Sequence, residues 1–172
     1  TSPPTSRPDR RRGCGRPAVA DLFEYAVVRV VPRVERGECV NVGVVLWCQR
    51  AGYLQARCAV DADRLTALDP FLDHTVVSAN LAAFEQVCTG GPAAGPAGAL
   101  PPGERFRWLT SPRSTIVQTS QVHSGLTDDP VAELGRLVTL LVDRPGPVPT
   151  PPAPHCKRMS PHAPGDRQRS RG

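Results

Sequence analysis

The sequence has few of the features that mark a metal site or a membrane segment. Its cysteines include no Cys-x-x-Cys pair, and the central four, at positions 39, 48, 58 and 88, are spaced 9, 10 and 30 residues apart. A structural zinc site usually needs closely spaced ligands, because one loop must present two of them to the same ion. No apolar run approaches the roughly 20 residues that a membrane helix requires. The sequence therefore predicts no metal ion, no cofactor and no membrane-spanning helix.

Familiar catalytic motifs are also missing. The GxSxG, P-loop and HExxH patterns do not occur. Residues 1–20 are polar and rich in Pro and Arg rather than apolar, so we expect no signal peptide. Cys39, Cys48 and Cys58 lie in apolar runs, where free cysteine packs as a small hydrophobic side chain. These features favour a reduced, cytoplasmic protein.

The positive charge of the chain is concentrated at its two ends. The 172 residues include 21 Lys and Arg and 16 Asp and Glu, giving a net charge of +5. Residues 1–20 and 145–172 each carry +4, so residues 21–144 must sum to −3. This distribution excludes a uniformly basic nucleic-acid-binding domain, and the composition excludes a collagen and a coiled coil. We expect both Pro-rich basic ends to be disordered tails.

Residues 21–144 are expected to form a single α+β domain. Runs rich in Val and aromatic residues predict an antiparallel meander of three strands, at 23–34, 39–49 and 53–60. Helices are predicted at 63–72, at 74–88 after the capping residue Asp73, and at 130–143 after Asp129 and Pro130. We expect the two main helices, at 74–88 and 130–143, to cover one face of the sheet.

The remaining stretches are predicted to form two loops and two short strands. The Gly/Ala/Pro-rich residues 89–104 predict a flexible loop that cannot supply a core. Residues 105–109 and 115–120 are candidate strands, and the polar residues 121–129 predict a loop.

Arg29 is the most unusual residue of the first predicted strand, because apolar residues surround it on both strand faces. A buried guanidinium must pair with a carboxylate or bind an anion, since an unpaired buried charge costs on the order of several kcal/mol. Three roles are open for Arg29. It reaches water at a sheet edge, it pairs with Glu35, Glu38 or an Asp, or it binds a ligand directly.

The segment ERGECVNVG at 35–43 gathers polar residues between two apolar strands. Glu35 and Asn41 are candidate binding residues, and Gly43 would let another backbone approach closely. One interpretation is a substrate or partner groove at this hairpin. The other is a turn followed by a β-bulge.

Arg105, Arg107 and Arg113 form a basic cluster around Trp108. A base stacked on Trp108, with arginines on the phosphates, would suit single-stranded nucleic acid. The negative total charge of residues 21–144 argues against strong binding of that kind. We therefore expect Trp108 in the core and Arg107 on the opposite strand face.

His123 and Asp128 lie five residues apart in the predicted polar loop. Histidine titrates near neutral pH, and a carboxylate can orient it, so the two are candidates for an acid–base pair. The alternative is that both are ordinary capping and turn residues.

Three runs resemble one known family: EYAVVRVVPRVERGECVNVGVVL at 24–46, RFRWLTSPRSTIVQTSQVHSGL at 105–126 and TDDPVAELGRL at 127–137. Their order is that of the bacterial domain-of-unknown-function family numbered 3037, and the resemblance covers about residues 23–143. The family's motif positions fall on Tyr25, Arg29, Pro32, Glu35, Asn41, Gly43, Arg107, Pro112, Arg113, Gln118, His123, Gly125 and Asp128. The resemblance implies no established activity. Genes of this family can lie beside one for a Hip-type serine/threonine kinase, which implies an accessory or antitoxin-like role with such a kinase as partner.

Three functional hypotheses follow. The first is a non-enzymatic accessory domain that binds a protein partner. The second is an enzyme acting on phosphate-containing substrates or nucleic acid, with Arg29 and Arg113 binding the anion and His123 and Asp128 transferring protons. The third is nucleic-acid binding through the basic tails. A ligand site would be favoured if five polar residues met in one concavity: Arg29, Asn41, Arg113, Gln118 and His123.

Overall fold

Five strands and four α-helices account for most of residues 20–144, the part of the chain that the computed structural model describes. Strands β1 (Asp21–Val30), β2 (Val40–Cys48) and β3 (Tyr53–Cys58) form the expected antiparallel meander. The predicted tails lie outside the described residues, apart from Ala20, and so does the hypothesis that they bind nucleic acid.

Two short strands complete the sheet along the other side of β1. Strand β4 (Val117–Thr119) pairs with the end of β1, and β5 (His123–Thr127) pairs with its start. Ser120 bridges the interruption between them, because its Oγ accepts the Val27 N–H at 2.9 Å and donates to the Gln121 carbonyl at 2.7 Å. Strands β4 and β5 therefore form one broken edge of the sheet, opposite β3.

Residues 20–144 contain four α-helices: α1 (Ala62–Leu68), α2 (His74–Thr89), α3 (Pro102–Thr110) and α4 (Pro130–Leu141). Two of them, α2 and α4, begin where acidic caps were expected. Asp73 accepts two amide hydrogen bonds at the start of α2, and Asp129 does the same for α4. Among residues 20–144, none of the helices has the length and apolar content needed to span a membrane.

The sheet is covered on both faces, so the expectation that α2 and α4 share one face is wrong. Val44, Leu46 and Cys48 of β2 pack with Phe23 against α4. The alternate residues, including Val45, pack against α1, α2 and α3. The physical reason lies in β2, whose run of valines and leucine is apolar on both faces and must be covered on both.

Three local predictions also fail. Residues 105–109 lie in α3, where Phe106 and Leu109 share a buried face at helical spacing. Residues 121–129 contain β5 instead of forming only a loop. The predicted loop 89–104 contains a 3-10 segment, Pro92–Ala99, which packs on α2 and contributes Ala97 to the core.

Asp61 joins the start of α1 to the residues that follow α4. It caps α1 through the Arg64 amide and lies 2.6 Å from the Arg144 guanidinium. The hydrogen bond from Arg144, reinforced by the Arg64 amide, lowers the pKa of the Asp61 carboxyl from 3.8 to about 2. Because the folded-state pKa is depressed, the stabilisation is full above pH 3.8, and it is lost as the pH falls through about 2.

This linkage can be measured with Asp61→Asn, which keeps a good capping residue but removes the charge. We expect the melting temperature of the wild type to exceed that of the variant by a constant margin at neutral pH. The margin should shrink as the pH falls below about 4. Asp63→Asn is a matched control, because Asp63 is exposed and lies 3.7 Å from Arg144. A margin that is unchanged from pH 6 to pH 3 would contradict this account.

The cysteines of residues 20–144 are free thiols in the structure. Burial raises the pKa of Cys58 and that of Cys88 to about 12. A thiol reacts through its thiolate, so both should be inert at neutral pH. Cys39, by contrast, is exposed.

We expect a thiol-specific disulfide reagent to modify one cysteine quickly in the native double variant Cys14→Ser, Cys156→Ser. That cysteine is Cys39, and the other three should react only as the protein unfolds. Rapid release of two or more equivalents of the chromophore from the native protein would contradict the prediction. The same assay in denaturant counts all four thiols and serves as the control.

Candidate functional site

Three of the predicted polar residues form a row across the sheet. Arg29 of β1 lies between Asn41 of β2 and Gln118 of β4 in the strand register. Cross-strand partners point to the same face, which is the face covered by α4. His123 lies on this face too, further along β1, where its ring stacks on Tyr25 with centroids 5.2 Å apart.

The amides of this row are already used to hold the fold together. Asn41 Nδ2 donates to the Leu141 carbonyl at 3.0 Å, at the end of α4. Gln118 Nε2 donates to the Thr115 carbonyl at 2.9 Å. Within residues 20–144, the buried Nε of Arg29 has no hydrogen-bond partner.

The ion pair expected between Arg29 and Glu35, Glu38 or an Asp does not form within residues 20–144. Glu38 is occupied by Arg36, at 2.8 and 3.0 Å, in the exposed turn after β1. Glu35 lies exposed in the same turn. Arg29 is therefore half-buried on the sheet and forms no ion pair with a carboxylate of that turn.

The hairpin contains the β-bulge that one of the two interpretations predicted. The register between β1 and β2 shifts where Val28 pairs with Gly43 and Arg29 pairs with Asn41. A Cβ on Gly43 would lie 2.8 Å from the Arg57 carbonyl oxygen and from Cys58 Sγ. Gly43 thus allows β3 to approach closely and does not open a binding surface.

The structure does not bring His123 and Asp128 together. They flank the ends of the extended strand β5, about 16 Å apart at roughly 3.3 Å per residue. Arg29 lies four residues along β1 from the partner of His123, a backbone separation of about 13 Å. Of the four residues proposed for acid–base catalysis and anion binding, only Arg113 lines the cleft between α2, α3 and β4.

A cleft lies on the opposite face of the sheet, between α2, α3 and β4. We call it the α2–α3 cleft, and its volume is about 460 Å³. This volume falls within the usual range for small-ligand and peptide sites. Its apolar lining comes from Phe84, Val87, Leu109, Ile116 and Val117, and its polar lining includes Asn80, Ser111, Arg113, Thr115 and Thr119.

Arg113 and Trp108 contact each other at the wall of this cleft. The Arg113 guanidinium lies 3.7 Å from the centroid of the Trp108 ring and also donates to the Trp108 carbonyl. Trp108 is 41 % exposed, so the expectation that it lies in the core is wrong. The reason is that residues 102–110 form a helix, whose core-facing stripe is occupied by Phe106 and Leu109.

The other two arginines of the predicted basic cluster have separate roles. Arg107 forms a bidentate ion pair with Glu24 of β1, at 2.7 and 3.1 Å. Arg105 is only 9 % exposed and packs over Gly90, at the C-terminal end of α2. A cation is favoured there by the helix dipole. Arg113 is therefore the one member of this cluster that lines the cleft.

Sequence reasoning identified Arg113 and Gln118 but missed the cleft itself. Asn80, Phe84 and Val87 come from α2, far from Arg113 along the chain. With residues 105–109 assigned to a strand, nothing in the sequence indicated that Trp108 would face the same space. No three or more His, Cys, Asp or Glu side chains within residues 20–144 are placed to hold a metal ion.

Comparison with known proteins gives one result. The family model described as a protein of unknown function, DUF3037, matches residues 25–142. No match was found among curated proteins, and none among solved structures. Because the model covers most of the chain, including every strand pairing that positions the cleft, the protein belongs to the DUF3037 family.

Proposed function

We propose that this domain is a non-enzymatic binding module that takes up an acidic segment of a partner protein in the α2–α3 cleft. The observation that carries the proposal is the position of Arg113. Its guanidinium is held against Trp108 at a partly apolar cleft, and no carboxylate of residues 20–144 pairs with it. A fixed guanidinium loses little conformational entropy when it binds a carboxylate.

The contrast with the other surface arginines supports this assignment. Six of them have a carboxylate within 2.6–3.2 Å: Arg33, Arg36, Arg50, Arg107, Arg136 and Arg144. Arg57 has no carboxylate partner within residues 20–144, but it does not line the cleft. Both ends of the chain carry net charges of +4, so they are poor sources of the missing carboxylate. A separate acidic partner is a better source of a carboxylate for Arg113. The family resemblance makes a Hip-type serine/threonine kinase one candidate for that partner.

The test uses the tryptophan of the cleft as its own reporter. The chain has two tryptophans, so Trp47→Phe leaves Trp108 as the only indole. A library of random peptides with amidated carboxyl ends is selected on this variant, and binding is followed by Trp108 fluorescence. We expect the selected peptides to share an acidic group and to quench or shift that emission.

Arg113→Gln should weaken binding of these peptides by about 10- to 100-fold, the range for losing a hydrogen bond between charged groups. Arg107→Gln is the matched control, because Arg107 pairs with Glu24 and is not in the α2–α3 cleft. Equal affinity for the wild type and for Arg113→Gln would overturn the proposal. So would a library from which no acidic peptide is selected.

A further inference from the structure

We infer that the acidic segment binds as an additional β-strand along the free edge of β4. This inference rests on the proposed function and concerns how the same cleft is occupied. It starts from the pairing of β4, whose three residues pair with β1 on one side only. The opposite side of β4 borders the α2–α3 cleft.

The hydrogen bonds to β1 show which backbone groups point into the cleft. The Val31 amide donates to the Ile116 carbonyl, and the Ser120 amide donates to the Val27 carbonyl, each at 2.8 Å. Backbone groups of successive strand residues point to opposite sides. Ile116, Gln118 and Ser120 therefore direct their amides and carbonyls to β1. Val117 and Thr119 direct theirs away from it.

Most of these outward groups are without partners in residues 20–144. The Val117 carbonyl accepts a hydrogen bond from Thr115 Oγ1 at 2.7 Å. The amide of Val117 and both the amide and the carbonyl of Thr119 make no such bond. These two free donors and one free acceptor on a sheet edge are the kind of groups that an incoming strand pairs with.

The cleft has the shape that strand addition requires. Five consecutive residues, 115–119, line it. Since side chains of neighbouring strand residues alternate between faces, such continuous lining places the backbone edge itself in the wall. Phe84 and Val87 of α2 form the facing apolar wall. An extended segment between them would bury every second side chain, and Arg113 would bind a carboxylate beside it.

The other edges of the sheet do not combine these features. On β3, the Cys58 amide is already bonded to Glu85 Oε1 at 3.1 Å. Strand β5 continues the β4 edge but contributes no residue to the α2–α3 cleft. Among the sheet edges of residues 20–144, that of β4 alone joins free backbone groups to the α2–α3 cleft with its apolar wall and Arg113.

The first experiment alters the ligand and leaves the protein intact. An acidic peptide selected on the Trp47→Phe variant is resynthesised with one backbone amide methylated at a time, and Trp108 fluorescence gives each affinity. In strand addition, alternate peptide amides bond to β4. Methylation should therefore weaken binding by about 2- to 12-fold at every second residue, the range for one backbone hydrogen bond, and little at the residues between.

The second experiment follows the protein side by hydrogen exchange. Bound peptide should slow exchange of the Val117 and Thr119 amides, while the Gln118 amide, which points to β1, changes little. Thr119→Pro should abolish this binding because it removes an outward donor, and proline is tolerated at such edge positions. Thr119→Val is the control for the side chain. If the variant with proline does not fold, the methylation pattern and the exchange data still show whether the peptide pairs with the edge of β4.

The outcomes separate the two proposals. Arg113-dependent binding without an alternating pattern, and with unprotected Val117 and Thr119 amides, would overturn strand addition and leave the proposed function standing. An alternating effect of amide methylation, with an affinity that does not change in Arg113→Gln, would overturn the proposal that Arg113 binds the acidic group. An alternating pattern with loss of affinity in Arg113→Gln supports both.

Discussion

Replacement of Phe106 by Ala is expected to lower the free energy of unfolding by about 3–5 kcal/mol. Phe106 is 0 % exposed and packs between α3 and the sheet, in the cluster that contains Ala26, Val45 and Leu54. Truncation removes this buried surface and leaves a cavity that a sheet and two helices cannot close. Urea unfolding monitored by circular dichroism measures the change.

Trp108→Ala is the control for this prediction, since it truncates a larger aromatic side chain two residues away on the same helix. Trp108 is half-exposed, so its loss should cost much less than the loss of Phe106. If residues 105–109 formed a strand, Phe106 and Trp108 would lie on the same face and both would be buried. A larger loss for Trp108→Ala than for Phe106→Ala would therefore contradict the helical assignment of α3.

Gly90→Ala is expected to cost about 2–5 kcal/mol, adding left-handed backbone strain to a steric clash. Gly90 ends α2 with φ of +81°, a conformation that alanine adopts only at a cost. A Cβ there would lie 1.4 Å from Arg105 Nη1. The buried guanidinium would have to leave the end of α2, where the helix dipole favours it.

Gly91→Ala separates these two contributions. Gly91 has φ of +87° but no atom within 4 Å of a built Cβ, so this variant should lose only the strain energy of about 1–2 kcal/mol. The difference between the two variants, measured by urea unfolding, reports the contact with Arg105. Equal losses for Gly90→Ala and Gly91→Ala would show that the Arg105 contact does not matter for stability.

The parts of the fold that local chemistry specifies were predictable from the sequence. Long runs of Val and aromatic residues indicated the β1–β2–β3 meander, and Gly52 marked one of its turns. Asp73 and Asp129 marked the starts of the two main helices, because each cap satisfies amides that no other group reaches.

The parts of the fold that depend on tertiary context were not predictable from the sequence. The residues RFRWL alternate like a strand, yet Pro102 starts a helix there and the sheet beneath selects Phe106 and Leu109 as its buried face. The polar residues of β5 were predicted to form a loop, because a strand on the edge of a sheet needs no apolar pattern. Its pairing with β1 depends on backbone bonds and on Ser120.

The candidate site illustrates the same limit. Arg29, Asn41 and Gln118 lie in one row across the sheet, but two of them serve to hold neighbouring segments in place. Arg113 was also identified, yet part of its surroundings is supplied by residues of α2 that lie 26 to 33 positions earlier in the chain. Such a cleft is defined by packing and not by any local motif.

A charge-reversal cycle tests the central role of Arg113 most directly. The affinities of wild type and Arg113→Glu, both in the Trp47→Phe background, are measured for one selected acidic peptide and for its counterpart with Lys in place of the acidic residue. We predict that Arg113→Glu loses the acidic peptide and gains the Lys peptide, with a coupling of at least tenfold. Affinities that change independently, with no coupling between the two charges, would contradict the account.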